Sequence, residues 1–183
     1  MELIGLYLVA CALLIAGGVA KALGPEDTAR AFAAIIPVPM HRLRPIVRIG
    51  SLAEALLGMV ALAFPRSGSA WLVALSYTGF AVFVSYARAK GGAIASCGCF
   101  GTPDTPATTL HVVVNCGLAA AAAAVALAAP TGSIVSILSR QPAHGLPLTV
   151  ASALCAWLAF LAVSRLAALQ AARRLTAISF RSQ

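Results

Sequence analysis

Charged side chains are scarce in this sequence, and acidic side chains are the scarcest. Charged residues make up 10% of the 183 positions, and only five residues are aspartate or glutamate. A soluble globular domain carries about a quarter of its residues charged, so this composition excludes that class. Hydrophobic residues reach 61% and the mean hydropathy is +0.94. These values are typical of a membrane protein.

The basic residues lack the arrangement that is typical of nucleic-acid binding. The formal net charge is +8, but the lysines and arginines flank apolar runs instead of forming a block with aromatic side chains between them. Flanking charges of this kind set membrane topology and contact anionic lipid headgroups. The sequence therefore indicates membrane lipids, and no nucleic acid, as the partner of this charge.

Five apolar runs are long enough to cross a bilayer, which takes about 20 helical residues. Backbone in lipid must satisfy its own hydrogen bonds, so these runs predict helices and not strands. We expect a single all-α integral membrane domain over residues 1–183, a bundle of five transmembrane helices with a short interfacial helix at about Glu26 to Ile36. The predicted spans are about 3–23, 46–64, 70–87, 108–129 and 146–169.

Two cysteines lie one residue apart in the polar loop at 88–107, within the run SCGCFG. Gly98 permits a turn that brings the sulfurs of Cys97 and Cys99 within bonding distance. A disulfide in so small a ring is strained and easily reduced, which favours a role in thiol–disulfide exchange. The same two thiolates are also ligands for a soft metal such as Cu(I) or Hg(II). A glycine turn with two incidental thiols is the third interpretation.

The other three cysteines fall inside predicted spans. Cys11 and Cys155 are expected to behave as small hydrophobic side chains. Cys116 is about two turns into the fourth span, roughly 10 Å along the helix axis from the loop. A loop that folds back would reach that depth, so Cys116 is a candidate for a redox role beside Cys97 and Cys99.

Glu54 lies near the middle of the second predicted span, where an acid is costly and is usually functional or paired. Ser51, Glu54 and Gly58 fall on one helical face, so the acid is expected to face the bundle interior. A structural anchor and a role in proton or quinone handling are both open. The hydrogen-bond partners expected for an anchor are Ser76, Tyr77 or Asn115.

Thr108, His111 and Asn115 are spaced i, i+3, i+7 on the fourth span and form one polar stripe. A histidine beside a thiol pair is able to move protons, and His111 with Asn115 is a candidate site for a quinone carbonyl. The alternative is that the stripe caps the helix start and bonds helices together. The residues do not determine a cofactor, and a quinone is the candidate.

Four motifs, in their order along the chain, resemble the methylamine utilisation protein MauE family, within the wider DoxX-like group of small bacterial membrane proteins. They are ALLIAGGVAKALGPED, IIPVPM, SLAEALLG and CGCFG, and the resemblance covers about Ala10 to Ala129. It implies a redox-associated protein of the bacterial plasma membrane that works with a thioredoxin-like partner to form or repair disulfides in an exported client protein. It makes Cys97 and Cys99 the exchanging pair. The family often carries an arginine just before the asparagine of the fourth helix, where this chain has Val114.

Two criteria disagree about the side of the membrane on which the CGCFG loop lies. Lysine and arginine are more numerous on the side of the first loop, the third loop and the tail, which places that side in the cytoplasm. Disulfides persist outside the cytoplasm, so the redox interpretation places the loop there. We expect an extracytoplasmic loop, because charges on the segment from Glu26 to Arg48 are able to reach lipid headgroups without reporting topology.

The function expected from the sequence is thiol–disulfide exchange in the membrane, as an oxidoreductase or in support of one. Two rival functions remain open. The first is soft-metal binding or transport through Cys97 and Cys99. The second is that of a non-catalytic subunit that holds an exported protein at the membrane.

Overall fold

Helices account for all the regular structure in a computed structural model that describes residues 3–36, 38–89 and 108–162. Five of these helices are long and apolar enough to cross a membrane, if the last is counted with the turn before it. This confirms the expected all-α bundle with five candidate spans. The α-helices are α1 (Ile4–Leu23), α2 (Glu26–Ala33), α3 (Met40–Ala63), α4 (Ser67–Ala89), α5 (Thr109–Ala128), α6 (Ile134–Leu138) and α7 (Leu146–Leu161), with a 3-10 turn at Pro142–Gly145.

The long helices run in alternating directions, so the end of one helix lies beside the start of its neighbour at each end of the bundle. α1 packs antiparallel to α3, and α4 packs along α5. The end of α1, the start of α3, the end of α4 and the start of α5 therefore lie together. We call this the α4–α5 end, because residues 90–107, with the CGCFG motif, connect those two helices.

Small residues let α1 and α3 approach very closely. A Cβ atom built on Gly18 would lie 2.7 Å from the backbone nitrogen of Ala55 and 2.7 Å from the carbonyl oxygen of Ser51. One built on Gly58 would lie 3.0 Å from the carbonyl oxygen of Cys11. Glycine at such positions is the usual device by which helices pack tightly in membranes. The contact also sets the register in which polar groups of α1 and α3 meet.

The short helix α2 packs against two neighbours at the α4–α5 end. Its buried Ala29 contacts Leu43 and Val47 of α3, and the ring of Phe32 lies 5.0 Å from that of Phe83 in α4. Pro25 precedes the helix, and Glu26 and Asp27 occupy its first turn. Proline and acids at this end match the geometry and dipole of a helix N-terminus. α2 therefore fills the space between α3 and α4.

α3 begins earlier than the sequence predicts. We expect the second span from about residue 46, but the helix starts at Met40, directly after Pro39. Pro45 lies inside it and cannot donate a backbone hydrogen bond to the residue four positions earlier. Both Pro45 and His41 are exposed, so the missing bond is not buried. Packing against α2 compensates for the proline and extends the helix.

The outward faces of the long helices carry large apolar side chains. Surface of this kind suits lipid and not water, since a soluble monomer rarely exposes a wide apolar patch. The chain is therefore a multi-pass membrane protein. Examples that are more than half exposed are Ile49 and Leu56 on α3, Leu75 and Val82 on α4, and Leu154 and Trp157 on α7.

Candidate functional site

Glu54 forms an ion pair with Lys21 across the contact between α3 and α1. The Lys21 Nζ donates to Glu54 Oε2, and Lys21 is only 6% exposed. The same Nζ lies 4.5 Å from the centroid of the Phe80 ring in α4, which gives the ammonium a cation–π contact. Gly18 precedes Lys21 by three residues, so the close approach of the two helices at Gly18 brings the charges together.

The partners expected for Glu54 from the sequence were the wrong ones. The Tyr77 hydroxyl donates to the carbonyl oxygen of Ala10 at 2.7 Å. The Ser76 hydroxyl donates within its own helix, to Leu72 at 3.0 Å, and Asn115 Nδ2 donates to the carbonyl oxygen of His111 at 2.7 Å. The Lys and Arg count for the first loop includes Lys21, which lies in the last turn of α1. Because Lys21 is paired inside the bundle, it carries no information on membrane orientation.

His111 is held at the start of α5 by its neighbour Thr108. The backbone N–H of Thr108 lies 3.4 Å from His111 Nδ1 and the Thr108 hydroxyl oxygen lies 2.8 Å from it. A backbone N–H only donates, so we assign Nδ1 as the acceptor and place the ring proton on Nε2. Thr108 and His111 thus form a capping box at the helix N-terminus. Capping by this pair was the structural alternative for the polar stripe.

The Nε2 atom of His111 points into the bundle. His111 is 2% exposed, and within the part of the chain that the structure describes its Nε2 has no hydrogen-bond partner. A buried donor without an acceptor is unfavourable by about 1–3 kcal/mol. Such an atom in a membrane bundle points to a ligand or to a function.

A cavity of about 50 Å³ joins these groups near the α4–α5 end. Its polar lining comes from Lys21, Glu54, Tyr77, His111 and Asn115, and the rest of the lining is mainly apolar. Val114 is one of the apolar lining residues. The structure therefore brings together three predicted site residues, Glu54, His111 and Asn115, and adds Lys21. The feature of the sequence that indicates Lys21 is its position three residues after Gly18, which places both residues on one face of α1.

The cavity is small for the quinone considered for His111 and Asn115. An aromatic ring needs a cavity on the order of 150 Å³, whereas this one measures about 50 Å³. A quinone ring does not fit between His111, Asn115 and Glu54 in the arrangement described. Quinone chemistry in this chain needs either movement of these side chains or another site.

The structure describes three of the five cysteines. Cys97 and Cys99 lie outside the residues that the structure describes. Cys116 is exposed on α5 and lines an open groove between α4 and α5 that is separate from the cavity. Cys11 is buried in α1 and Cys155 is exposed on α7. Cys116 faces away from the polar cavity, and its redox role remains a prediction.

Metal ligands do not cluster in the described parts of the chain. Over 3–36, 38–89 and 108–162, no three histidine, cysteine, aspartate or glutamate residues come close enough to hold an ion. The thiol pair of the CGCFG motif lies outside those ranges, so a soft-metal site there is not tested by the structure.

Comparison with known families gives one match. The model of the family described as methylamine utilisation protein MauE matches residues 2–129, from the start of α1 to the end of α5. The matched region contains the polar cavity's helices α1, α3, α4 and α5 and the CGCFG motif. The match confirms the resemblance noted from the four motifs. Neither a comparison with curated proteins nor one with solved structures gave a significant match.

Proposed function

The chain belongs to the methylamine utilisation protein MauE family, and from this premise we propose that it is a membrane thiol–disulfide exchange protein. In this proposal Cys97 and Cys99 form a disulfide that a thioredoxin-like partner reduces, and the partner becomes oxidised in the same exchange. The partner in turn forms or repairs disulfides in an exported client protein. The observation that carries the proposal is the CGCFG motif in the connection between α4 and α5 of a family member.

The CGCFG motif lies between two helices that the structure describes, α4 and α5. α4 and α5 pack along each other, and both ends of the connection are defined, at Ala89 and at the Thr108–His111 cap. The polar cavity lies at the same end of the bundle. The only exposed thiol close to that connection along α5 is Cys116, in the part of the helix that the structure describes.

The exchange takes place in two steps. A thiolate of the partner attacks one sulfur of the Cys97–Cys99 disulfide, which forms a mixed disulfide and releases the other sulfur as a thiolate. The second thiol of the partner then attacks the mixed disulfide. The partner leaves oxidised, and Cys97 and Cys99 have gained two electrons and two protons. A downstream acceptor, such as a quinone or a second protein that carries a disulfide, must take up the two electrons and reoxidise the pair for another turnover.

The location proposed is the bacterial plasma membrane, with the CGCFG loop on the extracytoplasmic side. Oxidised thiols persist there and not in the cytoplasm. The excess of Lys and Arg opposes this orientation, but the excess shrinks because Lys21 is buried and paired with Glu54.

A reconstituted exchange assay tests the function. The purified full chain in lipid nanodiscs is mixed with a reduced thioredoxin-like protein, and free thiols on both proteins are followed by gel shift after alkylation. We expect the thioredoxin-like protein to become oxidised as the Cys97–Cys99 pair becomes reduced. A triple variant, Cys11→Ser, Cys116→Ser and Cys155→Ser, retains only the pair and should behave as the parent does.

The matched control is the double variant Cys97→Ser, Cys99→Ser, which should show no exchange. Exchange that survives in the double variant, or is lost in the triple variant, would contradict the assignment to this pair. Tight stoichiometric Cu(I) binding to the parent without any exchange would favour the soft-metal function instead. If neither exchange nor metal binding depends on the pair, a non-catalytic assembly role is the better account.

A further inference from the structure

The unpartnered His111 Nε2 and the ion pair of Lys21 with Glu54 line one cavity. Because Nδ1 accepts from Thr108, Nε2 carries the ring proton and needs an acceptor. Lys21 has three N–H donors, of which Glu54 accepts one and Phe80 faces another. Among the residues that the structure describes, the polar lining therefore has more donors than the neighbouring side chains accept hydrogen bonds from.

The size and charge of the cavity restrict the ligand. A volume of about 50 Å³ exceeds the roughly 10–15 Å³ that one buried water requires and is well below the space for an aromatic ring. A cation would lie beside the hydrogen-bond donors of His111 and Lys21, and an anion would lie beside the Glu54 carboxylate. Neither kind of ion suits the cavity. The ion pair is already neutral as a unit. A neutral ligand that accepts and donates hydrogen bonds satisfies every one of these groups.

We propose that this cavity is a water-binding site in which ordered waters connect His111 Nε2 to the Lys21–Glu54 ion pair and let these groups exchange protons with the α4–α5 end of the bundle. Buried water commonly makes about three hydrogen bonds to polar groups that would otherwise lack partners. His111 lies in the first turn of α5 and the cavity reaches inward from it to Glu54. The inference holds whether or not Cys97 and Cys99 exchange disulfides.

The ionisable groups that face the cavity come from four helices: Lys21 from α1, Glu54 from α3, Tyr77 from α4 and His111 from α5. The Tyr77 hydroxyl is committed to the carbonyl oxygen of Ala10 at 2.7 Å. The contribution of α7, Ala159, is apolar. Among the residues that the structure describes, the groups left for proton exchange through the cavity are therefore His111, Lys21 and Glu54.

Nuclear magnetic resonance of the full chain in lipid nanodiscs tests the proposal. The chain has three histidines, so selective ¹⁵N-histidine labelling gives few signals, and loss of one in His111→Gln assigns it. We expect the tautomer with its proton on Nε2 and a cross-peak between that proton and water. A proton on Nδ1, or the lack of a water cross-peak at His111, would overturn the proposal.

A pair of adjacent variants shows whether the water lies in this cavity. Val114→Phe adds a ring to the cavity lining, whereas Val113→Phe makes the same change on a side chain that is 62% exposed. The water cross-peak should be lost in the first variant and retained in the second. If Val114→Phe does not give a monodisperse protein, Val114→Leu is judged by the same criterion. A cross-peak that persists after the cavity is filled would contradict the site.

Discussion

Replacement of Lys21 by methionine is the sharpest test of the buried ion pair. The change shortens the side chain by one atom and removes the charge, so the carboxylate of Glu54 loses its partner while the packing is nearly conserved. In the parent protein the two side chains are 8% and 25% exposed. Lys21 is thus almost wholly buried in the bundle, and Glu54 is partly exposed.

The expected cost follows from that burial. Removal of one partner from a buried ion pair destabilises a protein by about 3–5 kcal/mol, because the other charge remains buried and uncompensated. An unpaired carboxylate is able to take up a proton, which reduces this penalty. We therefore expect a loss of about 2–3 kcal/mol, which corresponds to a decrease in Tm of about 4–12 °C for a chain of this size.

Thermal denaturation of the purified protein in one detergent measures the effect. The matched control is Arg30→Met, which breaks an ion pair with Asp27 in which the arginine is 66% exposed. An exposed pair contributes about 0–1 kcal/mol, so the control should change Tm little. The double variant Lys21→Met, Glu54→Leu leaves no unpaired charge and should recover much of the loss. Equal Tm values for Lys21→Met and Arg30→Met, or a double variant no more stable than Lys21→Met, would refute the reasoning.

Two further predictions concern the contacts that bring the cavity helices together, and both use the same measurement of Tm. Gly18→Ala places a Cβ 2.7 Å from backbone atoms of α3 and should cost about 1–3 kcal/mol, whereas Gly50→Ala, with nothing within 4 Å, should be neutral or stabilising. Tyr77→Phe removes a 2.7 Å hydrogen bond between α4 and α1 and should cost about 0.6–1.7 kcal/mol. Ser76→Ala removes a bond within α4 only and should have less effect. A Tm for Gly18→Ala equal to that of Gly50→Ala would contradict the close helix contact, and equal values for Tyr77→Phe and Ser76→Ala would contradict the interhelical bond.

The fold was largely predictable because lipid simplifies the problem. A chain of this hydropathy must bury its backbone polar groups in helices, so run length alone indicates the spans. The start of α3 at Met40 was missed because Pro45 is a helix-breaking residue by sequence criteria. The compensating contacts of Leu43 and Val47 with α2 are tertiary, and no local pattern reveals them.

The site was only partly predictable. The position of Glu54 inside a span marked it as costly, and the helical spacing placed His111 and Asn115 on one stripe. The partner of Glu54 was not identified, because Lys21 lies at the end of an apolar run, where a lysine normally meets lipid headgroups. The proton position on His111 depends on its hydrogen bond to Thr108. Pair distances and tautomers of this kind follow from the packing of helices and not from the sequence of any one of them.

Membrane-impermeant alkylation of intact cells tests the exchangeable disulfide most directly. Cells that produce the chain are treated with an impermeant maleimide before and after an impermeant reductant, and modification of Cys97 and Cys99 is quantified by mass spectrometry. An oxidised, extracytoplasmic pair predicts no modification before reduction and modification of both residues after it, while Cys11, which is buried, stays unmodified throughout. Modification without reduction, or only after the cells are lysed, would contradict the account.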